Sequence, residues 1–241
     1  MSVTICFDFG NTRLKAAIFN NKELVEVRVL ATANVDSLQT LLDEIKPHQT
    51  ILSSVIHHDK AIESLLAKET SFHLLGPSTS LNFTTPVGKP ETIGADRLAL
   101  VAAAVDIYPK QHNLIISLGT CITYNFVNID HEFLGGSISP GMQMRFKAMH
   151  EQTALLPLIE ASNEFTLVGY DTKTNLLSGV ILGISAEIDG IIESYLLKYE
   201  NFNVLLTGGD ISYFVPHIKK RIFADENLIY KGLYAICKKN N

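Results

Sequence analysis

Three glycine-containing turns in the sequence have the residue types that a phosphate group needs. They are Asp8-Phe9-Gly10-Asn11-Thr12, Ser117-Leu118-Gly119-Thr120 and Thr207-Gly208-Gly209-Asp210, and each follows an apolar run. Glycine lets the backbone N–H groups of a turn approach a ligand, and neighbouring hydroxyl and amide groups add donors. Each turn alone is also typical of a hairpin or of close helix–strand packing. Their repetition after three apolar runs favours a phosphate site.

Asp8 has a different role from its neighbours in the first turn, because a carboxylate repels phosphate. Its natural partner beside phosphate oxygens is Mg²⁺, bound directly or through a water molecule. The sequence therefore predicts a phosphate and magnesium site at the end of the first strand.

The segment Gly94-Ala95-Asp96-Arg97 has the side chains that a phosphoryl acceptor needs. A carboxylate such as Asp96 can orient an acceptor hydroxyl and take its proton. The guanidinium fork of Arg97 suits a phosphate or an anionic substrate. Two simpler roles remain open: Asp96 could stabilise a helix N-terminus electrostatically, and Arg97 could be a solvated side chain.

The apolar spacing predicts the elements that position these turns. In the first half we expect strands at 3–9, 14–19, 23–29, 50–56 and 71–75, and helices at 36–45, 60–68 and 95–107. The stretch 76–94 is rich in proline and glycine and long for a connection, which indicates a functional loop. In the second half we expect strands at 114–118, 121–127, 132–138 and 204–207, and helices at 141–149, 174–197 and 228–238.

Both halves open with a strand, a tight glycine turn and two further strands. This repetition predicts two α/β halves, divided near Gln111, with a ligand cleft between them. The composition excludes several other classes of protein: a net charge of −5 gives no basic field for nucleic acid or an anionic membrane. Three dispersed cysteines fit neither a disulfide framework nor a zinc site, and no basic leader precedes the first strand. We therefore expect a cytoplasmic protein.

The order of the motifs resembles that of type III pantothenate kinases. The segments are DFGNT, GADRLA, GTCIT, GGSISPGM, GYDT with a following GVILG helix, and TGGD, and they extend from Asp8 to Asp210. These kinases belong to the acetate and sugar kinase, Hsp70 and actin superfamily. The resemblance implies an α/β fold of two similar ribonuclease H-like or actin-like halves. The N-terminal half, 1–111, would carry the first phosphate loop and GADR, and the C-terminal half, 112–241, the second phosphate loop and TGGD.

The resemblance also implies a reaction, namely ATP-dependent phosphorylation of pantothenate to 4'-phosphopantothenate, the first step of coenzyme A biosynthesis. Asp96 would be the catalytic base, and the cofactors would be ATP, Mg²⁺ and a monovalent cation, K⁺ or NH₄⁺. We expect a homodimer that binds neither nucleic acid nor membrane, with part of the dimer surface on the long helix from Thr174. The expected ATP and phosphate contacts are Asp8, Phe9, Gly10, Asn11, Thr12, Arg13, Leu14, Lys15, Gly119, Thr120, Gly208 and Gly209. The expected pantothenate contacts are Gly94, Ala95, Asp96, Arg97 and Thr172.

Three positions depart from the family pattern. Ser117 stands where the family has the aspartate associated with the monovalent cation, and Asn125 replaces a second common aspartate. In the family, the loop before GADR often has an aromatic residue near pantothenate, and the nearest candidate for that position in this chain is Val87. Ser117 and Asn125 leave open a non-catalytic nucleotide-binding regulator of the same fold. A kinase of the same superfamily acting on a sugar or another polyol is a second alternative, and GADR and the GGSISPGM stretch argue against it.

A few other polar residues are weaker candidates for function. His57 and His58 could face solvent at a strand end, without a metal-binding partner at suitable spacing. Glu187 and Asp189 lie on an apolar helix, where carboxylates are unusual, so we consider the nucleotide cleft or a partner subunit as their surroundings.

Overall fold

The computed structural model describes residues 2–86 and 88–241, which form two compact units. The first unit contains the described residues up to Lys110, the short segment Asp130–Leu134 and the terminal segment Asn227–Asn241. The second unit contains Gln111–Ile129 and Gly135–Glu226. The last helix of the chain therefore belongs to the first unit.

The first unit is built on a five-stranded sheet. Its strands are β1 (Val3–Phe9), β2 (Leu14–Asn20), β3 (Glu23–Leu30), β4 (Gln49–Ser54) and β5 (Ser71–Leu74). In space they lie in the order β3-β2-β1-β4-β5, with β1 antiparallel to β2 and parallel to β4. The helices of this stretch are α1 (Val35–Ile45), α2 (Lys60–Glu69) and, after a 3₁₀ turn at Pro90–Thr92, α3 (Ala95–Ile107).

The second unit repeats this plan. Its strands are β6 (His112–Leu118), β7 (Cys121–Val127), β8 (Phe133–Pro140), β9 (Phe202–Thr207) and β10 (Phe223–Ala224), in the spatial order β8-β7-β6-β9-β10. Its helices are α4 (Met142–Glu151), α5 (Thr172–Leu196) and α6 (Ile211–Phe214). The final helix, α7 (Leu228–Asn240), returns to the first unit and packs against α3.

Both sheets thus have the same strand order, third-second-first-fourth-fifth, when counted from the first strand of each unit. In both, the first two strands form an antiparallel hairpin and the fourth strand runs parallel to the first. The predicted fold class, α/β with two similar actin-like halves, is confirmed.

Each sheet buries one face in its own apolar core. In the first unit, Ile5, Phe7 and Phe9 of β1 alternate onto one face and pack with α1 and α2. Alternate residues of a strand project to opposite faces, so Asp8 must lie on the other face of the same sheet. In the second unit, Leu114 of β6 shares a core with the buried side of α5.

Helix α3 is apolar almost all round, since every residue from Leu98 to Val105 is buried. A helix of this kind needs neighbours on several sides, and α7 supplies one of them. Gly232 of α7 makes this contact close, because a Cβ there would lie 1.8 Å from the carbonyl oxygen of Ala99. The middle of α3, beginning about one turn after Asp96, is thereby held by a backbone-to-backbone contact with α7.

Most of the predicted elements are confirmed, with shifts at their ends. Strand β8 extends to Pro140, beyond the expected end at 138, and α5 begins at Thr172 rather than Thr174. The two-residue strand β10 was not predicted, because a pair of exposed residues carries no periodic signal. Within the described residues, the irregular stretch 76–94 contains the short 3₁₀ turn and an isolated β-bridge between Thr84 and Glu132.

Among the described residues, α5 is the one helix whose length and apolar content would allow it to cross a membrane. In its most apolar window, 44% of the residues are buried inside the structure. The core helix of a globular protein meets the same criterion, so this is weak evidence for a membrane span.

We expect Gly232→Ala to lower the free energy of unfolding by about 2–3 kcal/mol, since α7 must move away from Ala99 to admit a methyl group. Chemical denaturation would measure the change. The matched control is Gly190→Ala in α5, where a Cβ meets nothing within 4 Å. That variant should be unchanged or about 1 kcal/mol more stable, from helix propensity alone. Equal stability of the two variants would contradict the close helix contact.

Candidate active site

Asp8 lies at the carboxyl end of the central strand β1 of the first unit. It is paired in register with Lys15 on β2 and with Ser53 on β4. Residues paired across neighbouring strands project from the same face, so the three side chains form a row across the sheet. Lys15 Nζ lies 5.8 Å from the centre of the Tyr230 ring, which places α7 over this face.

The first glycine turn connects β1 to β2. The N–H of Gly10 donates to the carbonyl oxygen of Arg13 at 3.2 Å, and a Cβ at Gly10 would lie 3.3 Å from that oxygen. Asn11, Thr12 and Arg13 form the exposed tip. The turn is therefore tight at its base and accessible at its tip, as a phosphate-binding loop requires.

Asp96 is the second residue of α3, and Gly94 is the N-cap. A Cβ at Gly94 would lie 2.5 Å from Oδ1 of Asp96, so a larger residue there would displace the carboxylate. Because glycine has no side chain, the N-cap makes no side-chain hydrogen bond to the first turn of the helix. Glycine at this position thus gives the carboxylate room in the first helical turn, where the helix dipole favours a negative charge.

The charge of Asp96 acts on Asp8. Burial and the negative charge of Asp96 raise the pKa of Asp8 from an ordinary 3.8 to about 6, and the charge of Lys15 acts in the opposite direction. A buried carboxylate beside a second negative charge is costly to keep ionised unless a ligand compensates it. This arrangement is therefore a candidate functional site.

Arg97 is half-buried, and its Cζ lies 5.5 Å from the centre of the Phe133 ring. Burial lowers the pKa of Arg97, and the charge of Asp96 partly offsets this. Phe133 in turn packs edge-on against Phe83. A guanidinium group resting on a fixed aromatic ring is held in one plane, which suits recognition of an anion.

In the second unit, the structure brings three glycine-containing segments together. A Cβ at Gly141 would lie 2.1 Å from the carbonyl oxygen of Gly119, and one at Gly208 would lie 2.1 Å from that of Leu118. Gly208 has a positive φ of 106°, a conformation that side chains rarely adopt. Gly141 also donates its N–H to the carbonyl oxygen of Thr120 at 3.1 Å. The second and third predicted phosphate turns are thus neighbours within this unit.

Ser117 occupies the place in β6 that Asp8 occupies in β1. It is paired with Thr123 on β7 and Thr207 on β9, so a row of three hydroxyl-bearing residues crosses this sheet. Asn125 is fully buried and donates to Thr123 Oγ1 at 3.1 Å. Where the resemblance predicts carboxylates, this chain therefore has neutral side chains, and the amide of Asn125 is bound to the neighbouring threonine.

The remaining predicted contacts lie at the surface of the second unit. Gly209 is exposed, and a Cβ there would meet nothing within 4 Å. Thr172 is the exposed first residue of α5, directly after the capping residue Asp171. Val87, the nearest candidate for the aromatic position of the family, lies outside the described residues.

The weaker candidates have structural roles. Glu187 accepts hydrogen bonds from Tyr124, at 2.9 Å, and from Arg145, and it thereby joins α5 to β7 and α4. Burial acts to raise the pKa of Glu187, but these hydrogen bonds outweigh it and lower the pKa overall. Asp189 accepts from the backbone N–H groups of Lys219 and Lys220. These contacts within the unit account for both carboxylates on an apolar helix.

His58 is also engaged, contrary to the expectation of a solvent-facing side chain. Its ring nitrogens lie 3.0 Å from Ser54 Oγ and 3.0 Å from Glu63 Oε1. The ring packs edge-on against Phe9 of β1. His58 therefore fixes the chain that follows β4.

Sequence reasoning missed Ser53, Phe133 and Tyr230, which surround the predicted side chains. Phe133 and Tyr230 are aromatic residues that belong to no distinguishing motif. Ser53 left one usable signal, because it is a polar residue at the carboxyl end of a buried strand.

The repeated strand order, the glycine turns and the paired carboxylates define an α/β protein of the actin-like class. A crystal structure from Campylobacter jejuni, assigned to the Baf family of transcriptional activators, has the same fold. It superposes with a TM-score of 0.61 at 24% identity and covers 98% of each chain.

The family is shown by sequence. The model of the type III pantothenate kinase family matches residues 4–194. A type III pantothenate kinase of Christiangramia forsetii is 40% identical over 99% of both chains, and one of Bacteroides fragilis is 39% identical over 99% of both. The chain belongs to the type III pantothenate kinase family.

We expect Asp8→Asn to stabilise the protein near neutral pH. A carboxyl group whose pKa is raised on folding destabilises the folded state above its unfolded pKa and has no such effect below it. Two pKa units correspond to about 3 kcal/mol, and the remaining solvent screening of this mostly buried group reduces the expected gain to about 1–2 kcal/mol. The gain should be complete above pH 6 and disappear between pH 6 and pH 4.

Urea denaturation of both proteins across this pH range is the measurement. Asp106→Asn, which removes an exposed carboxylate near the end of α3, is the control and should change stability little at any pH. A constant difference between Asp8→Asn and the parent protein from pH 4 to pH 8 would show that Asp8 is not strained by its surroundings.

Proposed function

We propose that this protein transfers the γ-phosphoryl group of ATP to the primary hydroxyl of pantothenate and forms 4'-phosphopantothenate, the first step of coenzyme A biosynthesis. Family membership supports the substrate. The observation that carries the mechanism is the packing of α3, whose first turn carries Asp96, against β4, the strand that pairs with Asp8. The charge of Asp96 accordingly acts on Asp8. One carboxylate serves the phosphate side of such a reaction and the other serves the acceptor.

Asp96 is the general base in this proposal. It orients the acceptor hydroxyl and accepts its proton as the oxygen–phosphorus bond forms and the bond from the γ-phosphorus to the bridging oxygen breaks. The transferred group resembles metaphosphate in the transition state, so alignment and electrostatics provide most of the acceleration. The room that Gly94 gives to this carboxylate supports precise alignment.

The phosphate groups of ATP would be bound by backbone and side-chain donors of the first turn and of strand β2. The row of Asp8, Lys15 and Ser53 offers one cation and several oxygens. This set of oxygen donors, which includes the buried hydroxyl of Ser53 without a partner, fits Mg²⁺. Asp8 would hold Mg²⁺, directly or through water, and the bound ion would neutralise charge on the phosphate oxygens. The proposed nucleotide contacts are Asp8, Phe9, Gly10, Asn11, Thr12, Arg13, Leu14, Lys15, Gly119, Thr120, Gly208 and Gly209.

The pantothenate side would use Gly94, Ala95, Asp96 and Arg97, with Thr172. Pantothenate carries a carboxylate, and the guanidinium group of Arg97, held flat on Phe133, is suited to bind it. We assign the first phosphate loop and these acceptor residues to the half 1–111. The second loop and the TGGD turn belong to the half 112–241.

We also propose that the protein is a cytoplasmic homodimer that binds neither nucleic acid nor membrane. A net charge of −5 supports the absence of a nucleic-acid partner. Exposed apolar side chains in the segment before α5 and at its end, such as Leu167, Val168 and Leu197, support a protein interface.

Release of ADP in the presence of ATP, Mg²⁺ and pantothenate tests the function, with a panel of sugars and polyols in parallel. We expect turnover with pantothenate alone and a loss of about 10²–10⁴-fold in kcat for Asp96→Asn, because the proton acceptor is removed. The affinity for ATP should change little. Asp106→Asn, on the same helix, is the matched control and should retain full activity.

Three outcomes would contradict this proposal in different ways. Full turnover of Asp96→Asn would refute the role of the base. ADP release with sugars only would identify a sugar kinase, and nucleotide binding without any release would identify a regulator.

The neutral row around Ser117 leads us to propose a weakened requirement for K⁺ or NH₄⁺. A monovalent cation gains less from hydroxyl groups than from a carboxylate. We expect Ser117→Asp to bind K⁺ more tightly and to show a steeper dependence of activity on K⁺, measured against choline as the replacement ion. Ser117→Asn is the control, because its side chain has the size of the aspartate in Ser117→Asp but carries no charge. If both variants showed the same dependence of activity on K⁺, position 117 would have no part in binding the cation.

A further inference from the structure

Ser53 has a buried hydroxyl group without a hydrogen-bond partner. The residue is 0% exposed, and its Oγ is one of three buried side-chain polar atoms without a partner among the described residues. Leaving a buried hydroxyl unsatisfied is unfavourable, so such a group needs an explanation. A bound ligand that supplies the partner is one.

The position of Ser53 identifies that ligand. Ser53 is paired with Asp8 and lies near the carboxyl end of β4, which runs parallel to β1. In α/β sheets, ligands bind beyond the carboxyl ends of parallel strands. Helix α3, whose first turn carries Asp96, packs against β4. The hydroxyl thus lies in the row of side chains that contains the proposed magnesium residue.

Thr4 shows that a buried hydroxyl group without a partner does not by itself indicate a ligand site. Its Oγ1 is also buried without a partner, and it projects from the same face of β1 as Asp8. However, Thr4 lies near the opposite end of that strand, four residues before Asp8. A rise of about 3.3 Å per residue places it about 13 Å from the site. Thr4 therefore provides a matched control.

The second unit has the same arrangement, independently of the first. Thr207 lies at the end of β9 and is paired with Ser117, as Ser53 on β4 is paired with Asp8. Thr207 is also buried, at 2% exposure. A hydroxyl next to the last polar position of the central strand is thus a feature of both sheets.

We propose that Ser53 is a positioning residue of the Asp8 site, whose hydroxyl forms a hydrogen bond with a water molecule bound to Mg²⁺. This inference rests on the proposed function, because it assumes that Asp8 holds the magnesium ion of a bound nucleotide. Ser53 does not touch the reacting atoms. It fixes the hydration shell and, through it, the position of the ion.

The test is the Mg²⁺ dependence of ADP binding, measured by titration calorimetry on the full chain without pantothenate. We expect Ser53→Ala to raise the half-saturating Mg²⁺ concentration by about 3- to 10-fold, the range of a single lost hydrogen bond. The affinity for ADP without Mg²⁺ should stay within about twofold of the parent protein. Thr4→Val should leave both quantities unchanged.

Ser53→Thr serves as a second variant, because it keeps the hydroxyl and should keep the Mg²⁺ dependence of the parent protein. Thermal denaturation checks that each variant is folded. A Ser53→Ala protein with the parental Mg²⁺ dependence would overturn the proposal, and so would an equal loss of ADP affinity with and without Mg²⁺. Since no acceptor is present, failure of the pantothenate assay would leave this result intact and would refute only the proposed function.

Discussion

The first unit depends on holding two carboxylates close enough to repel each other. Asp8 is fixed by its place in the central strand, paired on both sides, and Asp96 is fixed by the first turn of a buried helix. The burial of Asp8 and, after it, the repulsion by Asp96 raise the pKa of Asp8 to about 6. Lys15 offsets part of this, and the core residues on the other face of β1 keep the strand in place. The stability lost at this site is a reason for it to bind a cation.

Close backbone contacts at glycine have the same purpose in both units. Gly232 lets α7 approach α3, and Gly141 and Gly208 let two segments meet the end of β6. In each case the glycine lies at or near an element that carries a proposed ligand contact. Small residues thus determine how accurately the larger polar ones are placed.

Much of this architecture could be predicted from the sequence. The strand trios follow from alternating apolar residues and short turns, and α3 follows from its apolar run and the glycine before it. The motif order identified the family and the carboxylates Asp8 and Asp96. The residues that pair across neighbouring strands could not be predicted, because the register between strands that are distant in the chain leaves no local signal in the sequence. Ser53 next to Asp8 and Tyr230 over Lys15 depend on strands and helices that are far apart in the chain.

The roles of Glu187 and Asp189 could not be predicted either, because a carboxylate on an apolar helix is compatible with both a ligand and an internal partner. The structure supplies the partners, which are Tyr124 and Arg145 for one and the backbone of Lys219 and Lys220 for the other. Ser117 and Asn125 illustrate the opposite case. Their neutrality is visible in the sequence, and the structure adds that Ser117 lies between two threonines and that Asn125 donates to one of them.

The placement of α7 has a consequence for how the protein is made. Residues 227–241 belong to the first unit, although they are synthesised after all of the second. During translation, β1 and its neighbours therefore emerge early but lack the helix that covers Lys15 and supports α3. The second unit has most of its residues in one continuous stretch and can mature first. The first unit would thus remain without α7 until residues 227–241 have emerged from the ribosome.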